Sequence, residues 1–475
     1  MKYRWAAVII LVVALTGCMH GVGWPDREAA FAAIDERRAH EVIAVLASPV
    51  YEGRRSGTAG EALAAGWIAS QFKDIGLSEA PGFTDYRTTY PSPLYTIEAF
   101  TGITARGTAG ESFLGDRAQS APYAGSGTVE AGAVLAGFGV TMDGYDEYAG
   151  LDVIGKVVFI LRYSAPSRSV PEAQTYLAAK VSGAASRGAA GVIIVDMPSS
   201  PSPFDMEGQT VSALPGAPPS ALVSVDGARS LFWAAGLSFD EVAAQAWAGG
   251  IVSRDLAMTV RFGVTADWNP EARAYNVAGV LAGRDPTRQV LICAHHDHLG
   301  TDRTGAVYPG ADDDASGVAV MLEAARAMAS AKGPPPVSIW FVSFSGEEEG
   351  LLGSAAFAAG TPGLASSLVG VLNLDMMRST SGLGVAVDSS DERMMDAISR
   401  AIRDGASLAV IPWSGGSDHE TFSRLDVPTC MVTAHGREVP WYHATTDTAL
   451  DFPVSGLGTA VQDVLRVVWG LTGSL

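Results

Sequence analysis

The feature that most constrains this chain is an apolar run, 290–294, that stops abruptly in His295, His296, Asp297 and His298. A short loop then leads to Asp312, Asp313 and Asp314. A buried strand whose C-terminal end opens into a site has this form. Ser316 and Gly317 follow, and then apolar residues at helical spacing: Val318, Met321, Leu322, Ala325 and Met328. These three imidazoles and four carboxylates lie within twenty residues beside one strand end. Such nitrogen and oxygen donors suit a hard-to-borderline divalent metal such as zinc.

From Asn276 onward, strand and helix patterns alternate. Strands are expected at 278–281, 289–294, 337–344, 368–374, 384–387, 408–411 and 429–433, and helices at 315–331, 351–358, 391–404 and 456–471. Long apolar strands separated by helices predict an α/β fold, a mostly parallel mixed sheet sandwiched by helices. Acidic or histidine groups recur just past the strand ends. Glu347, Glu348 and Glu349 follow 337–344, and Asp375 follows 368–374. Trp441, Tyr442, His443 and Asp447 come in the loop after 429–433. Open α/β sheets gather their ligands outside the carboxyl ends of the strands, so these groups are expected to form one site.

The chain begins with Lys2 and Arg4, an apolar run from Trp5 to Leu15, and then Thr16, Gly17 and Cys18. Residues 1–17 read as a secretory signal, since the run is too short to span a bilayer. Leu15-Thr16-Gly17-Cys18 resembles the lipobox of bacterial lipoproteins. That resemblance implies export, a lipid anchor at Cys18 with 18–26 as tether, and a place on a membrane of the bacterial cell envelope, periplasmic or surface side. Net charge is −19, and it becomes −21 without Lys2 and Arg4 (30 basic against 51 acidic residues). Such a chain repels phosphate, which argues against nucleic-acid partners. Beyond the signal, Cys293 and Cys430 both sit in apolar runs and are expected as buried free thiols on neighbouring strands.

Residues 27–96 read as a helical N-terminal part of the core. Leu63, Trp67, Ile68 and Phe72 mark one amphipathic helix, and 81–95 reads as a proline-rich connection. Between 97 and 266 the character changes: glycine is dense, histidine is absent, and short β-rich runs alternate with turns. One helix fits, at 172–187, and 198–220 is a Pro/Ser-rich loop. This stretch reads as a module inserted ahead of the core at 267–475.

Taken together, AHHDHLG, PGADDDASG, GEEEGLLGS, NLDMM and WYHATTDT, with LASPVYEGRRSGTAG near the N-terminus, resemble the co-catalytic di-zinc aminopeptidases, relatives of bacterial leucyl aminopeptidase and glutamate carboxypeptidase II. In the insert, GYDEYAGLDVIGKVVFILR and GAAGVIIVD resemble the protease-associated domain, which implies substrate gating or a binding surface. Carried over by position, the resemblance implies two zinc ions and peptide substrates. His295 and Asp375 would hold one ion, Glu348 and His443 the other, and Asp313 would bridge them. Two divalent ions about 3.5–4 Å apart need a shared carboxylate to offset their repulsion. Asp297 would accept the second N–H of His295 and fix its tautomer. Glu347 would be the general base and Tyr442 the donor to the oxyanion. His296 is expected as packing. His298, Asp312, Asp314, Glu349, Asp418 and His419 are expected in supporting places, and His435, Met376 and Met377 are given no role.

Most consistent with these implications is release of N-terminal amino acids from peptides. A di-zinc carboxypeptidase or dipeptidase stands as the alternative, ahead of a single-zinc glutaminyl-cyclase-like enzyme or a receptor-like protein without catalysis. The abundance of carboxylates favours a substrate ammonium. A carboxypeptidase would need a cationic clamp, for which only Arg303, Arg378 and Arg437 lie near the motifs. Nothing in the pattern sets an oligomeric state.

Overall fold

The computed structural model describes residues 24–473 apart from 25, 172–173, 199–213, 215, 303–304, 380–381, 388–390, 412–415 and 435–438. The signal segment with Cys18 and His20, most of the proline-rich loop, Arg303, His435 and Arg437 therefore lie outside the described residues.

At the middle of the molecule runs strand Asp285–His295, parallel to Val337–Phe344 on one side and to Leu368–Leu374 on the other. Successive side chains of a strand point to opposite faces, and both faces here are covered. Val290, Ile292 and Ala294 pack with Phe72, Met321, Leu322, Val464 and Val468 of the helices on one side. Leu291 and Cys293 face the other way, towards Phe357 and Phe422. Thr429–Thr433 continues the parallel set beside Leu368–Leu374. Beyond it lie Leu383–Val387, antiparallel, and then Leu408–Ile411 at the edge.

Among the described residues the sheet has nine strands and is mixed, with a parallel set at its middle. Arg273–Leu281 pairs antiparallel with Val337–Phe344, and Ser78–Glu79 and Arg87–Pro91 pair antiparallel with it in turn. The stretch expected as a plain connection, 81–95, thus contains a strand. Its residues Arg-Thr-Thr-Tyr-Pro show no apolar run because the strand lies at the margin of the sheet and buries only Tyr90. Cys293 and Cys430 are buried and free, as expected. They are not on neighbouring strands, since Leu368–Leu374 runs between them, and they belong to the cores on opposite faces.

Helix Ala59–Ile75 is started by Thr58, whose side chain accepts from Glu61 N–H, and is stopped by Gly76 in the left-handed region. Glu61 stands where a capping carboxylate would close back on the N-cap. Instead it is buried and accepts from the Tyr275 N–H, with His296 Nε2 3.2 Å away.

The insert builds an eight-stranded sheet of its own. Its first strand starts at Leu94 and its last ends at Asn269, so the expected limits of 97 and 266 fall inside strands. These two long strands pair antiparallel along their length, from Leu94 opposite Asn269 to Gly107 opposite Met258. Three helices, Leu177–Ala185, Val225–Ala234 and Phe239–Trp247, pack on this sheet where one was expected. The two additional helices are short, ten and nine residues, so their helical period spans fewer than three turns and does not stand out in the sequence. No described helix is long and apolar enough to cross a membrane.

Candidate metal centre

Five elements deliver side chains to the carboxyl ends of the parallel strands. His295 ends strand Asp285–His295, and Asp375 directly follows Leu368–Leu374. Glu347 and Glu348 follow Val337–Phe344. Asp313 lies in the turn Ala311–Ser316 ahead of helix Gly317–Ser330. His443 comes from the loop after Thr429–Thr433 and has φ of 53°.

Asp313 is the centre of this group. Its Oδ1 lies 3.2 Å from His295 Nε2 and its Oδ2 lies 3.3 Å from His443 Nε2. His443 Nε2 is also 3.1 Å from Glu348 Oε2. One carboxylate therefore divides its two oxygens between two imidazoles, the arrangement a bridging ligand requires. Ligand atoms of His295, Asp314 and Asp375 lie within 4.8 Å of one another, as do those of His298, Asp313 and Glu348.

Proximity alone does not sort these groups, and hydrogen bonding does. Both oxygens of Asp314 are occupied by backbone: His295 N–H donates at 3.2 Å, Gly317 N–H at 2.9 Å and Met376 N–H at 3.1 Å. Asp314 thus ties together two strand ends and a helix start, whereas Asp313 points its oxygens at the imidazoles. His298 donates from Nδ1 to Glu348 Oε1 at 2.7 Å, and its Nε2 is buried without a hydrogen-bond partner among the described residues. It holds the Oε1 side of Glu348, while His443 meets both Asp313 and Glu348 Oε2.

His295 Nδ1 lies 3.2 Å from the Asp297 carbonyl and 3.5 Å from its carboxylate Oδ1. The carbonyl is thus the nearer acceptor for the imidazole N–H, where the carboxylate was expected. The Asp297 carboxylate accepts instead from Glu347 N–H and Glu348 N–H, each at 3.3 Å, and so fixes the loop that carries them. Asp375 accepts from Ser417 Oγ at 2.6 Å, and Ser417 is held by Asn373 Nδ2 at 2.7 Å. His296 points away from the centre, with Nδ1 2.9 Å from Ser343 Oγ. Glu349 pairs with Arg55 at 3.6 Å. Tyr442 stacks on His443 with ring centroids 3.8 Å apart and is half exposed. His419 is buried in the short helix His419–Ser423, beside Asp418.

Two residues without an assigned role in the sequence pattern hold the site. Arg54 is fully buried and donates to four carbonyls: His296 at 2.7 Å, Leu46 at 2.6 Å, Pro309 at 2.7 Å and Gly310 at 2.8 Å. It thereby clamps the loop after His295 to the loop before Asp313. Asp447 accepts from Asp312 N–H at 2.9 Å and Asp313 N–H at 3.1 Å. Asp312 in turn accepts from Trp441 Nε1 at 2.8 Å and Arg378 N–H at 2.9 Å. The Asp447 signal was present in the phrase WYHATTDT. Arg54 lies in the phrase LASPVYEGRRSGTAG, which contributes to the resemblance without marking any one residue in it.

Charge follows from this crowding. Burial and the adjacent Asp313 push Glu348 up, but His443 and His298 outweigh them and hold it down to about 2. Burial pulls His443 down, yet Glu348 and Asp313 raise it to about 10. Burial pushes Asp375 up to about 6, against the pull of His295. Burial is also the main reason Glu347 stands well above the usual carboxylate range. The donor set therefore fits divalent cations: paired carboxylates and imidazoles, buried together and stabilised only by positive charge. Metal binding to such imidazoles needs their neutral form, so it releases protons and weakens as pH falls.

Residues 276–468 match the family model described as Peptidase family M28, and 122–231 match the PA domain. A protein named probable zinc metalloprotease from Pyricularia oryzae is 41% identical over 110 residues, 22% of each chain. A probable leucine aminopeptidase from Arthroderma otae is 30% identical over 183 residues, 36% of this chain and 51% of the relative. The matched region thus spans about a fifth to a half of the length of these curated relatives. In fold, the chain resembles an aminopeptidase from Aneurinibacillus sp. strain AM-1 (TM-score 0.67, 24% identity, covering 94% of this chain and 95% of that one). A zinc aminopeptidase from Bacillus subtilis is similar at TM-score 0.63 and 22% identity, covering 92% and 95%.

The division between ligands and supports is open to direct measurement. Asp313→Ala should lose most bound zinc, and His443→Ala should lose one of two ions. His298→Ala should keep both ions with affinity lowered about 10–100-fold, as for groups that orient a ligand. Elemental analysis of dialysed protein checks this. Full zinc in His443→Ala with one ion lost in His298→Ala would exchange the two roles.

Proposed function

We propose that this chain, which carries a Peptidase family M28 core with a PA domain inserted ahead of it, is a di-zinc aminopeptidase. The observation that carries the reading is the split of the Asp313 carboxylate between His295 and His443. His295 and Asp375 would hold one zinc, Glu348 and His443 the other, with Asp313 between them. Zinc bound there supplies Lewis acidity towards the scissile carbonyl and the attacking water.

Glu347 neighbours a ligand without sharing its side-chain contacts to His298 and His443, and burial raises its proton affinity. That is the direction a general base needs to take a proton from water and return it to the leaving amine. Burial and the surrounding carboxylates keep the Tyr442 hydroxyl protonated, so it can donate to a developing oxyanion. The described arginines nearby are already engaged, which speaks against a clamp for a terminal carboxylate. Arg54 serves carbonyls, Arg55 pairs with Glu349, and Arg378 lies 4.3 Å from the Trp441 ring centroid while donating to the Asp451 carbonyl. The excess of carboxylates suits a substrate ammonium. Lipid attachment at Cys18, on a membrane of the cell envelope, is supported by the lipobox-like stretch at 15–18.

Glu347→Gln should keep both zinc ions and lose about 10²–10⁴-fold in kcat, the usual contribution of a general base. Near-normal kcat in that variant would remove Glu347 from the role. Peptides blocked at either end test the polarity of cleavage: hydrolysis should stop on N-acetylation and survive C-amidation. The reverse outcome would make the enzyme a carboxypeptidase. For the anchor, Cys18→Ser should move the protein from the membrane to the soluble fraction, and unchanged partition would exclude lipid attachment there.

A further inference from the structure

Four hydroxyls lie buried beside the loop that carries Glu347. Ser345 Oγ donates to Ser56 Oγ at 3.1 Å, and Ser56 Oγ lies 3.3 Å from the Tyr90 hydroxyl and 3.0 Å from Ser92 Oγ. They come from distant parts of the chain. Ser56 follows Arg54 and Arg55, and Ser345 stands two residues before Glu347. Tyr90 lies on strand Arg87–Pro91, and Ser92 begins the linker into the inserted domain. Ser92 N–H also donates to the Ala272 carbonyl of the returning linker at 2.9 Å. Both linkers are therefore pinned at the place where the hydroxyls meet.

The Glu347 loop is held against this cluster at several points. Ser345 N–H donates to Asn276 Oδ1 at 3.2 Å, and Asn276 Nδ2 donates to the Gly353 carbonyl at 2.8 Å. Asn276 thus fastens the backbone on both sides of Glu347–Glu349. Gly346 has φ of 70°, and a Cβ there would stand 2.5 Å from the Tyr90 hydroxyl. The Tyr90 oxygen therefore rests on the backbone residue just before Glu347. Burial, with the charge of Asp297 nearby, keeps this phenol protonated and able to donate.

We propose that Tyr90 and the Ser56–Ser92–Ser345 hydroxyls position Glu347, so that the attachment point of the inserted domain and the general base share one hydrogen-bonded scaffold. This rests on the reading of Glu347 as general base. Tyr90 acts through Glu347 and is a positioning residue. A carboxylate displaced by a fraction of an ångström transfers protons less well, while substrate contacts made elsewhere are untouched.

The test compares Tyr90→Phe, Ser56→Ala, Glu347→Gln and the double variant Tyr90→Phe/Glu347→Gln in the full chain, assayed on an aminoacyl anilide. Tyr90→Phe should lower kcat about tenfold or more with KM within about twofold and both zinc ions retained. The double variant should be no slower than Glu347→Gln alone, since a residue acting through Glu347 has nothing left to position. If Tyr90→Phe folds poorly, Ser56→Ala gives the same reading from the other side of the cluster. Unchanged kcat in the Tyr90 and Ser56 variants overturns the proposal while a slow Glu347→Gln preserves the function. So does a further loss in the double variant that multiplies the single losses. Near-normal turnover in Glu347→Gln overturns both readings together.

Discussion

The site depends on how eight carboxylates, five of them buried and three half-buried, can be gathered around one small volume. Arg54 and the backbone amides make this tolerable. Asp297, Asp312, Asp314 and Asp447 each accept from main-chain N–H groups and stop short of the centre. Asp313, Glu347, Glu348 and Asp375 are left with capacity for protons or cations. Arg54 adds a fixed positive charge felt by Asp447, Asp297, Asp313 and Asp314, although burial opposes its charged form. Its bonds go to carbonyls, so the charge is held in place without being spent on a single carboxylate partner. A buried ion network is tolerated only when each member is satisfied in this way.

The same arrangement explains why the centre sits where it does. The parallel strands end side by side, so residues remote in sequence reach one another within a few ångströms. Three loops must then be locked to one another to keep that register. Asp314 locks the His295 and Asp375 ends to helix Gly317–Ser330, and Asp297 locks the His295 end to the Glu347 loop. Asp447 and Trp441 lock the His443 loop to the aspartate turn.

Much of the core was legible because the strands are uninterrupted apolar runs ended by polar groups. The strands at 337–344, 368–374, 408–411 and 429–433 have their expected limits. What escaped detection lacks that contrast. Strand Arg87–Pro91 is at the margin of the sheet and polar, and Leu94–Gly107 alternates irregularly, with much of its length exposed. At the site, residues facing the centre carry chemical types that betray a ligand. Arg54 does not: an arginine is ordinarily a surface residue. Only the fold reveals that four carbonyls surround it. Sequence adjacency also misleads, since Asp312, Asp313 and Asp314 stand in a row and aim at three different sets of partners.

The antiparallel pairing of the insert's first and last strands bears on how the polypeptide assembles. Strand Arg87–Pro91 has its partner at Arg273–Leu281, so during synthesis it waits for the whole insert to be made. Closing a loop of that length carries an entropic cost that grows with the logarithm of its size. Once Leu94 faces Asn269, however, the ends of that loop are already side by side. Pro91 then meets Arg273 across a gap of a few residues. Pairing of the insert's end strands thus makes the core closure a local one, as if the intervening residues were a tight turn.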